Sequence, residues 1–140
     1  RSVYLNYAEA LNEYYGESRQ DEVLEYLNAI RERAGIPGYE DSYSQEEMRE
    51  MIRHERKIEL CYECQRFFDV RRWFIAHGPN GAFNHNEYGL DMSKGENATD
   101  KEFFSMTEAA IKRFDIKHYL MPIKASECEL NTELVQAPFY

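Results

Sequence analysis

Between residues 53 and 73 the chain reads RHERKIELCYECQRFFDVRRW, a stretch dense in groups that can do chemistry. Glu55 and Glu59 stand four residues apart, so on a helix their Cβ atoms lie roughly 6 Å apart on one face. Paired carboxylates at about that separation serve retaining glycoside hydrolysis. That reaction needs a cleft and one carboxyl that keeps its proton near neutrality. Arg56, Arg66, Arg71 and Arg72 crowd the same stretch, and guanidinium groups favour the ionised carboxylate. Cys61 and Cys64 form a CxxC. Zinc needs a second ligand pair at suitable spacing, but Cys128 is isolated and His54 lies two helical turns from Cys61. A redox CxxC belongs at a helix N-terminus, whereas the pattern places this one mid-helix. Both cysteines are therefore expected as small buried residues at tight helix contacts. His54-Glu55 lacks the second histidine of HExxH, so His54 is expected at the surface or in a supporting hydrogen bond. No catalytic residue, metal ligand or cofactor is expected.

What remains is a structural role. At 100° per residue, Glu55, Glu59, Tyr62 and Arg66 share one stripe with Met48, Met51 and Ile52. From Leu60 onward the pattern is apolar nearly all round, through Cys61, Cys64, Phe67, Phe68 and Val70, which predicts a buried helix. An unpaired charge inside such a helix costs several kcal/mol. The expectation is an internal ion network of Glu55, Arg56, Glu59, Tyr62, Arg66, Asp69, Arg71 and Arg72. Loss of Glu59 or Arg66 is then expected to cost several kcal/mol, since each leaves a buried partner stranded.

The elements that position these residues are mainly helical. Tyr4, Ala8, Leu11 and Tyr15 recur at helical spacing over about residues 3–15, with Gly16 as a stop. Leu24, Leu27, Ile30 and Ala34 mark a second helix over about residues 20–34, closed by Gly35 and Pro37. The short link between them predicts an antiparallel helix hairpin. Ser44 and Glu47 form a capping box for a third helix that the pattern carries to Trp73, about 30 residues or nearly 45 Å. Residues 78–100 read as a long loop with at most short strands. Pro122 favours an extended segment at residues 118–120, and residues 125–130 suit one or two helical turns.

Composition excludes several classes. The chain has 140 residues and a net charge of -9 from 26 acidic and 17 basic side chains, so it lacks the basic face of a nucleic-acid binder and a polybasic lipid-binding patch. No apolar run approaches the roughly 18 residues of a membrane span. Three cysteines give no disulfide framework. The chain opens on RSVYLNYAEAL without an initiator Met and with the helical pattern already running, so it is expected to continue upstream, where any targeting segment would lie.

Residues 91–102 place Asp91, Ser93, Asn97 and Glu102 near EF-hand offsets, but Gly95 takes a ligand position and Glu96 sits where that loop needs glycine. Asn97-Ala98-Thr99 fits a glycosylation triplet, a permissive pattern. Phe83, Asn84, His85, Asn86 and Tyr88 could stack on a sugar and bond its hydroxyls; anchoring of the loop onto the domain accounts for them more simply.

The same stretch carries a resemblance. Arg53, Glu55, Arg56, Glu59, Leu60, Phe67, Phe68, Asp69, Arg71, Arg72 and Trp73 match the signature helix of the SusD/RagB family, Arg-x-Glu-Arg-x-x-Glu-Leu leading through an aromatic pair into Asp-x-Arg-Arg-Trp. YLNYAEALNE and YLNAIRERAGIP resemble the family's preceding hairpin, and YLMPIKASECELNTELVQAPFY its closing segment. Cys64 and Gln65 replace a common Gly-His, Lys124 a proline, and Ala137-Pro138-Phe139 alters the tail.

The resemblance implies a mainly α fold of tetratricopeptide-like helix pairs in an α-α superhelix, with a long loop region and little β structure. Residues 1–140 would be the C-terminal part of such a domain: a hairpin plus signature helix over 1–74, a variable region over 75–112 and a closing segment over 113–140. It implies a non-enzymatic glycan- or nutrient-binding lipoprotein facing outward from the outer membrane of Gram-negative bacteria. Its partners would be a polysaccharide or oligosaccharide ligand and a TonB-dependent transporter, with membrane attachment only through an upstream lipid anchor. The best-known sugar-stacking aromatics of the family lie upstream of the matched region, so no carbohydrate-binding residue is assigned. Glu25 and Arg31, on the charged hairpin, are the expected surface positions for transporter contact. A helical-repeat interaction module without a glycan role, and a glycan-processing enzyme using Glu55 and Glu59, are the rival functions.

Overall fold

The structure, a computed structural model, describes residues 1–140. It contains helices α1 (Ser2–Tyr15), α2 (Gln20–Arg33), α3 (Gln45–Glu59), α4 (Gln65–Arg72) and α5 (Ala125–Leu130), and strands β1 (Asn86–Asp91) and β2 (Ser105–Ile111). Two compact units divide at residues 68 and 69, within α4.

In the first unit a 3-10 turn over Gly16–Arg19 joins α1 to α2, and α1 packs on both α2 and α3. The apolar stripes meet in one core of Leu5, Ala8, Leu11, Val23, Leu27, Ile30, Met48, Ile52 and Leu60. Helix α2 ends as the sequence predicts. Gly35 adopts φ 74, its N–H reaches the Glu32 carbonyl, and the Ile36 N–H reaches the Arg31 carbonyl. This is a Schellman closure, in which the left-handed residue favours glycine. The capping box at α3 is formed: Ser44 Oγ accepts from the Glu47 N–H and the Glu47 carboxylate accepts from the Ser44 N–H.

The single long helix expected up to Trp73 does not form. Helix α3 stops at Glu59, and residues 60–64 form a turn before α4 begins. Tyr62 and Cys64 take φ values of 66 and 58. The Glu63 N–H bonds the Leu60 carbonyl, and the Glu63 carboxylate pairs with Arg1 at the head of α1. The turn leaves Leu60 in the core but directs Cys61, Tyr62 and Cys64 to solvent, Tyr62 completely. The cysteines are therefore not buried packing residues, and Tyr62 is not a member of a buried network. Phe67 and Phe68 are also exposed, at 41 % and 62 %. No glycine or proline announces this break; an ion pair to a residue some sixty positions earlier accompanies it.

In the second unit Val70, Ala76 and Phe114 form a small core lined by Ile75, Ala82, Phe83 and Tyr119. Strands β1 and β2 pair antiparallel from Asn86↔Ile111 to Asp91↔Ser105, with an irregularity at Glu87/Tyr88. Strand β1 thus lies inside the stretch over residues 78–100 read as a long loop with at most short strands, and β2 follows beyond it, within the variable region over 75–112. Residues 116–119 form a 3-10 turn rather than the expected extended segment. Asp115 initiates it: the Asp115 N–H donates to His118 Nδ1, and the His118 N–H returns to the Asp115 carbonyl. Only Leu120, directly before Met121-Pro122, is extended.

Candidate functional site

Helix α2 presents Arg31 and Arg33 in its last turn, and the adjoining turn of α3 presents Glu55 and Glu59. Arg31 pairs with Glu55 and Arg33 with Glu59, the latter at 2.6 Å. Glu55 is buried at 2 % exposure. Its Oε1 accepts from the Arg31 guanidinium and from the Tyr39 hydroxyl at 2.8 Å. Arg31 is held on further sides: its Nε donates to the Pro37 carbonyl at 2.7 Å, and its guanidinium lies 4.1 Å from the Tyr39 ring centroid. Desolvation, then the hydrogen bond to Glu55, pushes the Tyr39 phenol up to about 12. On the other side of α3, buried Arg56 donates to Asn6 at 2.6 Å and lies 3.8 Å from Glu9 of α1.

The loop that delivers Tyr39 is fixed by carboxamides. Asn28 accepts the Tyr39 N–H at 2.7 Å and donates to the Tyr39 carbonyl at 3.0 Å, as a neighbouring strand would. Gln20 makes the same paired contact with Tyr43. Asn12 and Gln45 exchange side-chain-to-carbonyl bonds of 3.1 and 2.7 Å. Gly38 is required here, because a Cβ at that position would lie 2.8 Å from the Asn28 carboxamide carbon. These clamps satisfy backbone groups of an irregular segment that has no ladder of its own.

Of the network residues expected from sequence, Glu55, Glu59, Arg56 and Arg71 reach partners on other segments, whereas Asp69 and Arg72 pair within α4 and Tyr62 stands in solvent. Glu55 and Glu59 reach α2, and Arg56 reaches α1. Asp69 pairs with Arg72 at 3.0 Å, and Arg71 donates to the His118 carbonyl while lying over the Phe114 ring. Arg66 is half-buried in the first unit. Arg31, with a side chain only 19 % exposed, is an interior ion-pair partner and not the surface charge expected of it. Arg33 is 57 % exposed, so removal of Glu59 does not strand a buried charge. Sequence reasoning missed Arg31, Arg33, Tyr39 and Asn6. The signal available was the cationic last turn of α2 facing a helix with surplus carboxylates.

The arrangement leaves little scope for acid–base chemistry. The Glu55 carboxylate is buried and already engaged by a guanidinium and a phenol. No three His, Cys, Asp or Glu side chains converge to hold a metal ion. His54 is exposed. At the proposed EF-hand offsets Asp91 instead caps its own turn through Ser93, and Asp100 accepts from the backbone of Glu96 and Asn97. Of the loop aromatics and amides, Phe83 packs on Phe114, and Asn84 bridges the Gly78 carbonyl and the Phe114 N–H. Tyr88 projects outward at 62 % exposure.

In the second unit, Tyr119 Oη accepts from the backbone N–H of Ala76 at 2.8 Å and of His77 at 3.3 Å, and lies 2.9 Å from His77 Nδ1. Its ring stacks on Phe74 at 4.4 Å. This contact accompanies a positive φ of 57 at Phe74, where α4 closes with the Phe74 N–H on the Arg71 carbonyl and the Ile75 N–H on the Val70 carbonyl.

Fold and site together define a helix-hairpin scaffold whose strongest charges are consumed between its own helices. A family model described as the SusD family matches residues 2–140, and the chain belongs to that family. SusD-like protein P2 of Formosa agariphila is 38 % identical over 89 residues, covering 56 % of this chain and 17 % of that protein. SusD-like protein P25 of the same organism is 41 % identical over 76 residues, covering 52 % of this chain and 14 % of the relative. A crystal structure of a SusD-like protein from Bacteroides fragilis superimposes with a TM-score of 0.80 at 32 % identity, covering 99 % of this chain and 24 % of that one. The chain thus spans less than a quarter of the length of these relatives.

Proposed function

We propose that this chain serves as scaffold in a nutrient-binding protein of the outer-membrane surface, one that captures a glycan or similar nutrient for a TonB-dependent transporter. The observation that carries the reading is the family match across residues 2–140. The geometry is consistent with it, because the paired carboxylates brace α2 against α3 instead of lining a cleft. Uptake of this kind needs a stiff platform, and a buried, multiply bonded ion pair resists the sliding of two helices. The protein is a binder and not a glycosidase, and attachment to the membrane belongs to a lipid anchor elsewhere in the polypeptide. No helix is long and apolar enough to cross a membrane.

Two measurements on the full-length protein test this reading. Oligosaccharide binding by calorimetry should be detectable, while hydrolysis should be absent in both wild type and Glu59→Gln; turnover lost in Glu59→Gln would establish the enzyme instead. Co-purification of a transporter should weaken on Glu25→Arg, which reverses an exposed charge of α2. Full recovery with that variant removes the α2 face as the contact.

A further inference from the structure

The broken third helix changes the standing of the CxxC. In a continuous buried helix the two thiols would be inert packing groups. In the structure they stand in the exposed turn over residues 60–64, three residues apart, with free side chains. The Glu63 N–H bonds the Leu60 carbonyl, so the chain folds back on itself inside this segment. Two residues of the turn, Tyr62 and Cys64, hold positive φ although neither is glycine, a conformation that L side chains adopt uncommonly. The aromatic that separates the cysteines, Tyr62, is wholly solvent-exposed and shields neither sulfur. The remaining cysteine, Cys128, lies on α5 in the other unit and is half-buried.

We propose that Cys61 and Cys64 are a dithiol pair that closes to an intramolecular disulfide across the α3–α4 turn, a redox-set clip on the conformation of residues 60–64. The oxidant is a small-molecule or protein disulfide. One cysteine thiolate attacks a sulfur of that donor, releasing one donor thiol and leaving a mixed disulfide. The second cysteine thiolate then attacks the cysteine sulfur of the mixed disulfide and expels the other donor thiol. Two cysteine thiols lose two hydrogens, and the donor disulfide is reduced to two thiols. Closure shortens the set of backbone states open to residues 61–64, and so favours a left-handed Cys64 that an open chain holds only through its neighbours. The inference is independent of ligand and transporter.

The test equilibrates the full-length protein with mixtures of reduced and oxidised glutathione, quenches with acid, alkylates and digests with trypsin. Cleavage after Lys57 and Arg66 places both cysteines in peptide 58–66, and Cys128 in the peptide that starts at Ala125. The expected result is peptide 58–66 lighter by two hydrogens and unalkylated, while Cys128 is alkylated or carries glutathione in proportion to the mixture. Cys61→Ser should convert Cys64 into a glutathione adduct. The oxidised chain should melt a few degrees above the reduced one, a difference absent in the Cys61→Ser/Cys64→Ser variant. Recovery of peptide 58–66 with two alkyl groups or two glutathiones at every ratio, or disulfide-linked dimers in place of the closed peptide, overturns the proposal.

Discussion

Replacing Glu55 tests the interior ion pair most directly. Its carboxylate is buried at 2 % exposure and takes bonds from Arg31 and Tyr39. Glu55→Ala deletes both and leaves a guanidinium facing the core. Breaking a buried pair by removing one partner costs about 3–5 kcal/mol. Arg31 keeps its bond to the Pro37 carbonyl, its contact with the Tyr39 ring and a side chain 19 % exposed to water, so the low end applies, about 3 kcal/mol. Glu55→Gln retains an acceptor for the Tyr39 hydroxyl and loses only the charge, for about 1.5 kcal/mol. Urea unfolding followed by helical circular dichroism reads the difference. At a slope of about 1.5 kcal/mol per molar, Glu55→Ala should lower the midpoint by roughly 2 M and Glu55→Gln by roughly 1 M. Arg31→Leu combined with Glu55→Leu should recover much of the loss, since no charge is then stranded. A midpoint within about 0.3 M of wild type for Glu55→Ala, or strictly additive losses in the double variant, would refute the claim that the pair is interior and coupled.

The Tyr39 phenol is pushed up to about 12 from its ordinary value of 10.0, so the folded state favours its protonated form; that contribution is complete below pH 10 and disappears as pH rises through 12, and a phenolate absorbance titration of wild type minus Tyr39→Phe should show one late-titrating group. The bond from Arg49 holds the Glu13 carboxyl below its ordinary 4.5, so this pair stabilises above pH 4.5 and is lost as pH falls through the lower folded value; Arg49→Met should flatten the acid side of the stability profile. Under reducing conditions Cys64→Gly should stabilise by about 1 kcal/mol, because glycine adopts positive φ without the Cβ conflict, whereas a neutral or negative effect in urea melts would show that the turn does not depend on that conformation.

That last position also explains a departure from the family pattern. The resemblance sets Cys64 at the glycine of the SusD/RagB pattern, and the structure gives it φ 58. The pattern resemblance noted the exchange, but only the backbone shows why glycine suits the place.

The sequence by itself determined what depends on near neighbours along the chain. The apolar stripes placed α1 and α2 almost to the residue, and Gly35 and the Ser44–Glu47 box marked helix ends, because capping is settled within one turn. The Arg-Glu signature determined the family and, with the helical periodicity, the fold class. Tertiary structure decided where the signature helix breaks, since nothing local forbids Leu60–Gln65 from continuing and the turn is tied through Glu63 to Arg1. It also decided which arginine meets which glutamate. A buried charge dictates that a partner exists, but whether that partner comes from the same helix or from Arg31 on its neighbour depends on which faces pack, and periodicity carries no information about that.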